Sequence, residues 1–311
     1  MRSRIVALFI SLAALAGAAG AQHVSASQAG AALSELAPAR HGTLYRVAHQ
    51  GSTAYLFGTI HVGQPAFYPL DARVTDALNR ATRLAVELDV HNSESFQKAV
   101  RRYGYLPDGE TLRTRISPAT FALLEAALLR VDLRTDQVLT LKPWVVANLL
   151  LGLDLEKHGF QRRHGLEFFL LDAARAQQKT VIELESAEYQ LSLFDDLTPM
   201  QQEQYLRETL TELASGEATR KALDLIDAWR RGDGQRYDVL IEQSKSDTTL
   251  SARFTQRVLL DRRNPEMADK IEALLKGDDT SFVGVGLLHL MGDTGLPTLL
   301  RQRGYLVEKV Y

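Results

Sequence analysis

From Thr43 to Ile60, apolar and polar positions alternate on either side of Gly51-Ser52. That pattern predicts a hairpin of Thr43–Ala48 and Thr53–Ile60. Pro65 and Pro69 mark a loop. Asp71 then stands where a carboxylate caps a helix, with Val74, Ala77 and Leu78 on one face. The run Leu84–Asp89 reads as a buried strand carrying Glu87, so the opening is β-β-α-β. From about 94 to 275 the pattern is mainly helical. Ser117-Pro118 starts a helix through Leu128, with serine as cap and proline at the first helical position. Pro143 starts another, in which Trp144 and its neighbouring leucines are core. Leu166–Gln177 is amphipathic, and Lys179–Leu184 is a strand bearing Glu183, with Glu185 just beyond. Ser186, Thr198, Ser215 and Gly232 punctuate further helices, and the polar stretch Gln243–Leu250 predicts a flexible loop. The chain ends β-α-β: Ser281–Leu287, a helix Leu296–Gln302 stopped by Gly304, and Tyr305–Tyr311. The expected class is α/β (α+β): a mixed central β-sheet flanked by helices, with a large helical insertion between two similar halves.

The halves are similar because two strand-like runs end alike. Tyr55-Leu-Phe-Gly58-Thr-Ile-His61 and Phe282-Val-Gly-Val-Gly286-Leu-Leu-His289 both close on Gly-x-x-His. A glycine lets the backbone pass close to a ligand or a neighbouring strand. Each histidine falls about where its strand yields to a loop, and open α/β sheets bind ligands outside the carboxyl ends of strands. Two such strands side by side would aim two imidazoles at one point. No solenoid-type repeat is present.

Composition narrows the chemistry. The 311 residues are 45% hydrophobic and 24% charged, ordinary for a globular protein, and the net charge of −2 argues against a nucleic-acid partner. There is no cysteine, which excludes a thiolate nucleophile, a lipid-modified cysteine and any Cys-ligated metal. Arg2 and Arg4, the apolar run Ile5–Leu15 and the small residues ending Ala19-Gly20-Ala21 have the layout of a secretory signal peptide. The expected organisation is a signal peptide over 1–21, cleaved after Ala21, a flexible leader over 22–41 and one domain over 42–311. A secreted or periplasmic protein follows, with no transmembrane segment left after cleavage.

At the paired Gly58-x-x-His61 and Gly286-x-x-His289 the sequence resembles the TraB/PrgY/GumN family, which is related to the Tiki metalloproteases. It is more distantly similar to erythromycin esterase and ChaN-like proteins. Glu87 within Val86-Glu-Leu-Asp89, Pro107-Asp-Gly-Glu-Thr-Leu112 and Leu141-Lys-Pro-Trp144 carry the match further. So do Gly165-Leu-Glu167, Leu184-Glu185 with Gln190, Arg263-Asn264 and the ending Gly304–Val310. The resemblance covers roughly 42–311. Glu183 departs from it, because family members often have glycine before the Leu-Glu of that strand. Either Glu183 or Glu185 is then the carboxylate facing the site. The resemblance implies a mixed α/β core and a hydrolase-like site. In Tiki proteins manganese or cobalt supports peptide cleavage. The implied partner is a peptide or protein substrate.

Two histidines and a carboxylate can hold one divalent ion, manganese or cobalt by resemblance or zinc by ligand type, and leave positions open for water. His61 and His289 are the expected ligands, with Glu87 as third ligand or base. Arg263 is expected to stabilise developing charge, with Arg262 as its rival, and Asn264 to orient it or the substrate. Glu185 is expected to support the site from behind. Each residue also has a structural reading: a hydrogen-bonded strand-end histidine, a salt-bridged Glu87, a solvated helix face around Arg263. His23, His41, His49, His91, His158 and His164 are weaker candidates. No nucleophile elbow, zinc-protease helix or phosphate loop is present. The rival functions are a metal-independent esterase using His61 and Glu87 directly, and a non-enzymatic binder of peptide, haem or metal.

Overall fold

The computed structural model describes residues 41–311. The expected signal peptide over 1–21 and the leader as far as residue 40, His23 included, lie outside the described residues. Six strands form one sheet: β1 (Leu44–His49), β2 (Ser52–Thr59), β3 (Arg83–Val86), β4 (Thr180–Glu183), β5 (Thr280–Gly286) and β6 (Leu306–Lys309). Their order is β4-β3-β5-β2-β1-β6. β1 is antiparallel to β2 and β6, while β2–β5, β5–β3 and β3–β4 are parallel. The expected mixed sheet with a large helical region between its strands is what the chain forms.

The β1–β2 hairpin turns on Gln50 and Gly51, both at positive φ, as a tight two-residue turn requires. β5, flanked on both sides, is an apolar run buried from Ser281 to Val285, the pattern of a strand covered on both faces. On one face Phe57, Phe282 and Leu84 pack against helices Ala72–Arg80 and Leu166–Ala176 and against Trp229. On the other, Leu56, Ala85 and Val283 meet Met267 and Ile271 of helix Arg263–Leu275 and Leu300 of helix Leu296–Gln302. The remaining helices build a core of their own, in which Trp144 stacks on Phe194 at 5.0 Å.

The caps fall where the sequence places them. Asp71 accepts from Arg73 N–H, Ser117 from Thr120 N–H, and Thr198 from Gln201 N–H with Gln201 returning the bond. The stretch Gln243–Leu250 is shorter as a loop than expected. Helix Gly234–Lys245 runs into it and helix Leu250–Phe254 follows closely. Asp247, buried between them, accepts from Thr249 N–H and hydroxyl, so the polar residues there make caps instead of an open loop. β3 stops at Val86 and leaves Glu87 just past the strand. Among the described residues no helix is long and apolar enough to cross a membrane.

His41, assigned to the leader by composition, is 4% exposed. Its ring lies 5.5 Å from Trp229 and its carbonyl accepts from Tyr311 Oη at 2.8 Å. Burial, helped by Arg230 and opposed by Asp71, holds its pKa below the ordinary 6.5. A depressed histidine binds fewer protons folded than unfolded. Its contribution is therefore complete above about pH 6.5 and is lost as pH falls. Melting temperature should drop as pH falls below about 6.5, and His41→Phe, which keeps the ring packing, should make that slope shallower. An unchanged slope in the variant would show that His41 does not carry it.

Candidate functional site

The site forms where three adjacent parallel strands end together. Register pairs Val86 of β3 with Gly284 of β5, and Thr59 of β2 with Gly286 of β5. Just beyond these strand ends stand Glu87, His61 and, in the turn Leu287–Leu290, His289. The two glycines of the repeated motif do different jobs. A Cβ on Gly58 would meet Leu287 Cδ1 at 2.8 Å, so Gly58 lets the turn after β5 pack down. A Cβ on Gly286 would sit 3.1 Å from Glu87 Oε1 and 3.7 Å from both His61 Nε2 and His289 Cδ2. The carboxylate and both imidazoles thus converge over bare backbone.

Each imidazole is held from its far edge. His289 Nδ1 bonds Asn264 Oδ1 at 2.5 Å. Asn264 Nδ2 donates to Thr294 O at 2.7 Å, which fixes the amide so that its oxygen faces the ring. His289 Nδ1 is therefore the donor and Nε2 carries the lone pair, 3.7 Å from Glu87 Oε1. Burial, with Arg263 adding to it and Glu87 opposing, pushes the His289 pKa down to about 3, so the ring is neutral. His61 Nδ1 stands 2.8 Å from Glu167 Oε1, which also accepts from Thr59 Oγ1 at 2.5 Å. Glu167 lies in the first turn of helix Leu166–Ala176, whose Leu166 N–H bonds Ile60 O beside His61. Burial works to lower the His61 pKa, but the charge and hydrogen bond of Glu167 outweigh it and raise it. Glu167 is correspondingly lowered: burial acts upward, and His61 and Thr59 overcome it.

Glu87 is held ionised. Gly286 N–H donates to Oε1 at 2.6 Å, and Arg263 Nη2 to Oε2 at 2.6 Å. Burial alone would raise its pKa; the Arg263 guanidinium, the His61 ring and the Gly286 amide together hold it well below the carboxylate range. Arg263 also forks onto Glu185, with Nε 2.9 Å from Oε1 and Nη2 in contact with Oε2. Gln190 Nε2 joins the two carboxylates, at 2.7 Å from Glu185 and 3.2 Å from Glu87. Over this cluster opens a cleft of about 840 Å³ with walls that include Leu88, Val90, Leu225, Leu259 and Leu288. Leu259 belongs to a π-helical stretch, Thr255–Asp261, just before Arg263; such wider turns recur beside functional sites.

The TraB/PrgY/gumN family model matches residues 43–309. The chain belongs to this family. Two relatives are the uncharacterized protein YbaP of Shigella flexneri and that of Escherichia coli (strain K12). The first is 30% identical over 248 residues, covering 80% of this chain and 88% of the relative. The second is 30% identical over 247 residues, covering 79% and 87%. No solved structure gives a significant match.

Against the family's motifs the structure sorts the candidate residues. His61, Glu87, His289, Arg263, Asn264 and Glu185 are brought together. Of the open pairs, Glu185 and Arg263 face inward. Glu183 accepts from Asp89 N–H at 2.8 Å on an exposed surface, and Arg262 is half-exposed, 3.9 Å from Asp196. Arg263 is 5% exposed, lines the cleft and bonds Glu87, Glu185 and Leu259 O. One role changes. Asn264, 1% exposed, orients His289 and reaches neither Arg263's ligands nor the cleft. His91 pairs with Asp172, His158 with Asp154 and His49 packs on Tyr305, all away from the cleft.

Glu167 and Thr59 were missed as site residues. A signal for Glu167 existed: it shares the helix spacing of Leu170, Leu171 and Ala174, the buried face, where a lone carboxylate needs a partner. Thr59 had none. Truncating Arg263 should expose the tension in the cluster. Arg263→Leu leaves two buried carboxylates without their cation and should cost about 3–5 kcal/mol in urea unfolding. Arg263→Lys should recover only part, because an ammonium lacks the fork. A loss below about 1 kcal/mol would mean that solvent reaches both carboxylates.

Proposed function

We propose that the chain is a hydrolase of acyl bonds, peptidase-like, that activates water over the His61–Glu87–His289 cluster with the help of a divalent cation. One observation carries this reading: both rings are anchored through Nδ1 to oxygen acceptors, and their Nε2 edges face the void that Glu87 Oε1 shares. Metal-binding histidines are held by such outer partners. The donor types fit a divalent ion. The spacing is looser than a closed site, since among the described residues no three His, Asp or Glu side chains are placed to hold an ion as they stand. His61, His289 and Glu87 are the residues that would hold it. A cation there would polarise the scissile carbonyl and make water more acidic.

The chain's own groups supply the rest. Glu87, kept anionic by Arg263 and Gly286, is too weak a base to take a proton readily, which suits it to binding positive charge. Glu185, itself held by Gln190, fixes Arg263, and Gln190 also donates to Glu87 directly. The leucine-lined walls lower the polarity around the cluster and strengthen these electrostatic contacts.

A second reading has its own support. The Glu167–His61 pair is built like a base and its orienting carboxylate, and Glu167 raises the imidazole pKa. In a metal-free enzyme His61 Nε2 would take the proton from water directly. Metal titration of the stripped protein, beside His61→Ala and His289→Ala, separates the two. About one equivalent of manganese, cobalt or zinc bound by wild type and lost in both folded variants, with cleavage that a chelator abolishes, is the expected result. Cleavage that persists in chelator and disappears only with His61 would favour the metal-free reading. Absence of cleavage of any peptide or ester, with or without metal, would remove the hydrolase proposal.

A further inference from the structure

Gln190 stands in the first turn of helix Ala187–Asp195 and is 5% exposed. Its backbone is fixed at the helix start, where Ser186 accepts from Tyr189 N–H and Gln190 N–H bonds Ser186 O at 3.0 Å. Its side chain meets two acids at once: Nε2 lies 2.7 Å from Glu185 Oε2 and 3.2 Å from Glu87 Oε2. Both of those oxygens also accept from Arg263 Nη2. A carboxylate bonded by a guanidinium has no proton to give, so the amide must turn its nitrogen toward the pair. Two acceptors on one NH₂ group leave the amide no freedom to flip.

What remains is the amide oxygen. Gln190 lines the cleft beside His61, Glu87 and His289. Among the described residues nothing donates to its Oε1, and the atom is not sealed from solvent. The two bonds that join the oxygen and nitrogen of an amide span at most about 2.6 Å. Oε1 therefore stands within about 6 Å of Glu87 Oε2, in reach of a group held over the cluster. The acids nearby are already engaged, Glu87 by Gly286 and Arg263, and Glu167 by Thr59. Gln190 Oε1 is a neutral acceptor, held in place and still without a donor. Covering such an atom with a ligand that cannot donate costs the hydrogen bond it would keep with water. Sites built this way reject analogues that lack the donor.

We propose that Gln190 sets specificity, its Oε1 accepting from an N–H or O–H that the substrate carries one or two bonds from its acyl carbon. An amide nitrogen or an α-hydroxyl meets that condition, and a simple ester does not. The proposal rests on the hydrolase reading and adds what the cleft demands of the acyl compound.

Three compounds test it: hexanoyl 4-nitroanilide, 4-nitrophenyl 2-hydroxyhexanoate and, without a donor, 4-nitrophenyl hexanoate. Gln190→Met removes both ends of the amide. Gln190→Lys keeps N–H donors for Glu87 and Glu185 but has no acceptor, and it decides alone if Gln190→Met is unfolded. Intrinsic reactivity cancels when each variant is compared with wild type on the same compound. In both variants kcat/KM for the anilide, the hydroxy ester or both should fall by about tenfold more than for the plain ester. An equal loss on all three, or a preference that Gln190→Lys retains, would show that Gln190 only holds the carboxylates and would overturn the proposal. If nothing is cleaved, the hydrolase reading fails and binding decides, read as the Kd of hexanamide and of methyl hexanoate by ligand-observed NMR. Tighter binding of hexanamide to wild type, lost in the variants, upholds the acceptor. Equal binding, no binding to wild type, or a difference that Gln190→Lys keeps rejects it.

Discussion

The guanidinium of Arg263 ties the helical face of the molecule to the carboxyl edge of its sheet. It starts the helix Arg263–Leu275, whose apolar side packs on the sheet, and it reaches Glu87 after β3 and Glu185 after β4. Backbone bonds continue that strand pairing past the strand ends, from Leu184 N–H to Val86 O and from Glu185 N–H to Glu87 O. Two carboxylates are thus brought side by side in a place that water barely reaches. Only a planar cation with several donors can satisfy both from one position. The arrangement is a constraint more than a source of stability, since desolvation offsets much of the attraction in a buried ion pair. What it secures is an ionised Glu87 in one orientation.

The rest of the site follows from that charge. A fixed anion over Gly286 needs space, which the missing side chain of Gly286 provides. It also needs neighbours that do not compete with it. His289 stays neutral because Asn264 claims its Nδ1 proton and burial opposes a second one. His61 is the more basic ring, because Glu167 stands behind it. The two histidines of a repeated motif are therefore not equivalent. One is backed by an amide and the other by a carboxylate, which gives the cluster a neutral side and a side able to carry a proton.

Much of the framework was legible in the chain. Alternation around Gly51 marked the hairpin, Asp71, Ser117 and Thr198 marked helix starts, and the apolar run before Gly286 marked a strand. The paired Gly-x-x-His motifs pointed to one edge of one sheet, and β2 and β5 are direct neighbours there. The local patterns misled where a polar stretch served as caps, as at Asp247, and where a composition typical of a leader ended in a buried ring, as at His41. Neither difference is visible from propensity, because each depends on what packs against the segment.

The sequence by itself determined the residue types of the site, the strands that bear them and the absence of thiol chemistry. Those are properties of local pattern and composition. Tertiary structure decided which of two adjacent arginines and which of two nearby acids turn inward. It set Asn264 behind His289 and Arg263 between two carboxylates, and it recruited Glu167 from a helix about a hundred residues away from His61 in the chain. The reason is physical: side-chain periodicity is set within a few residues, whereas the direction of a charge is set by whichever distant groups can satisfy it once water is gone.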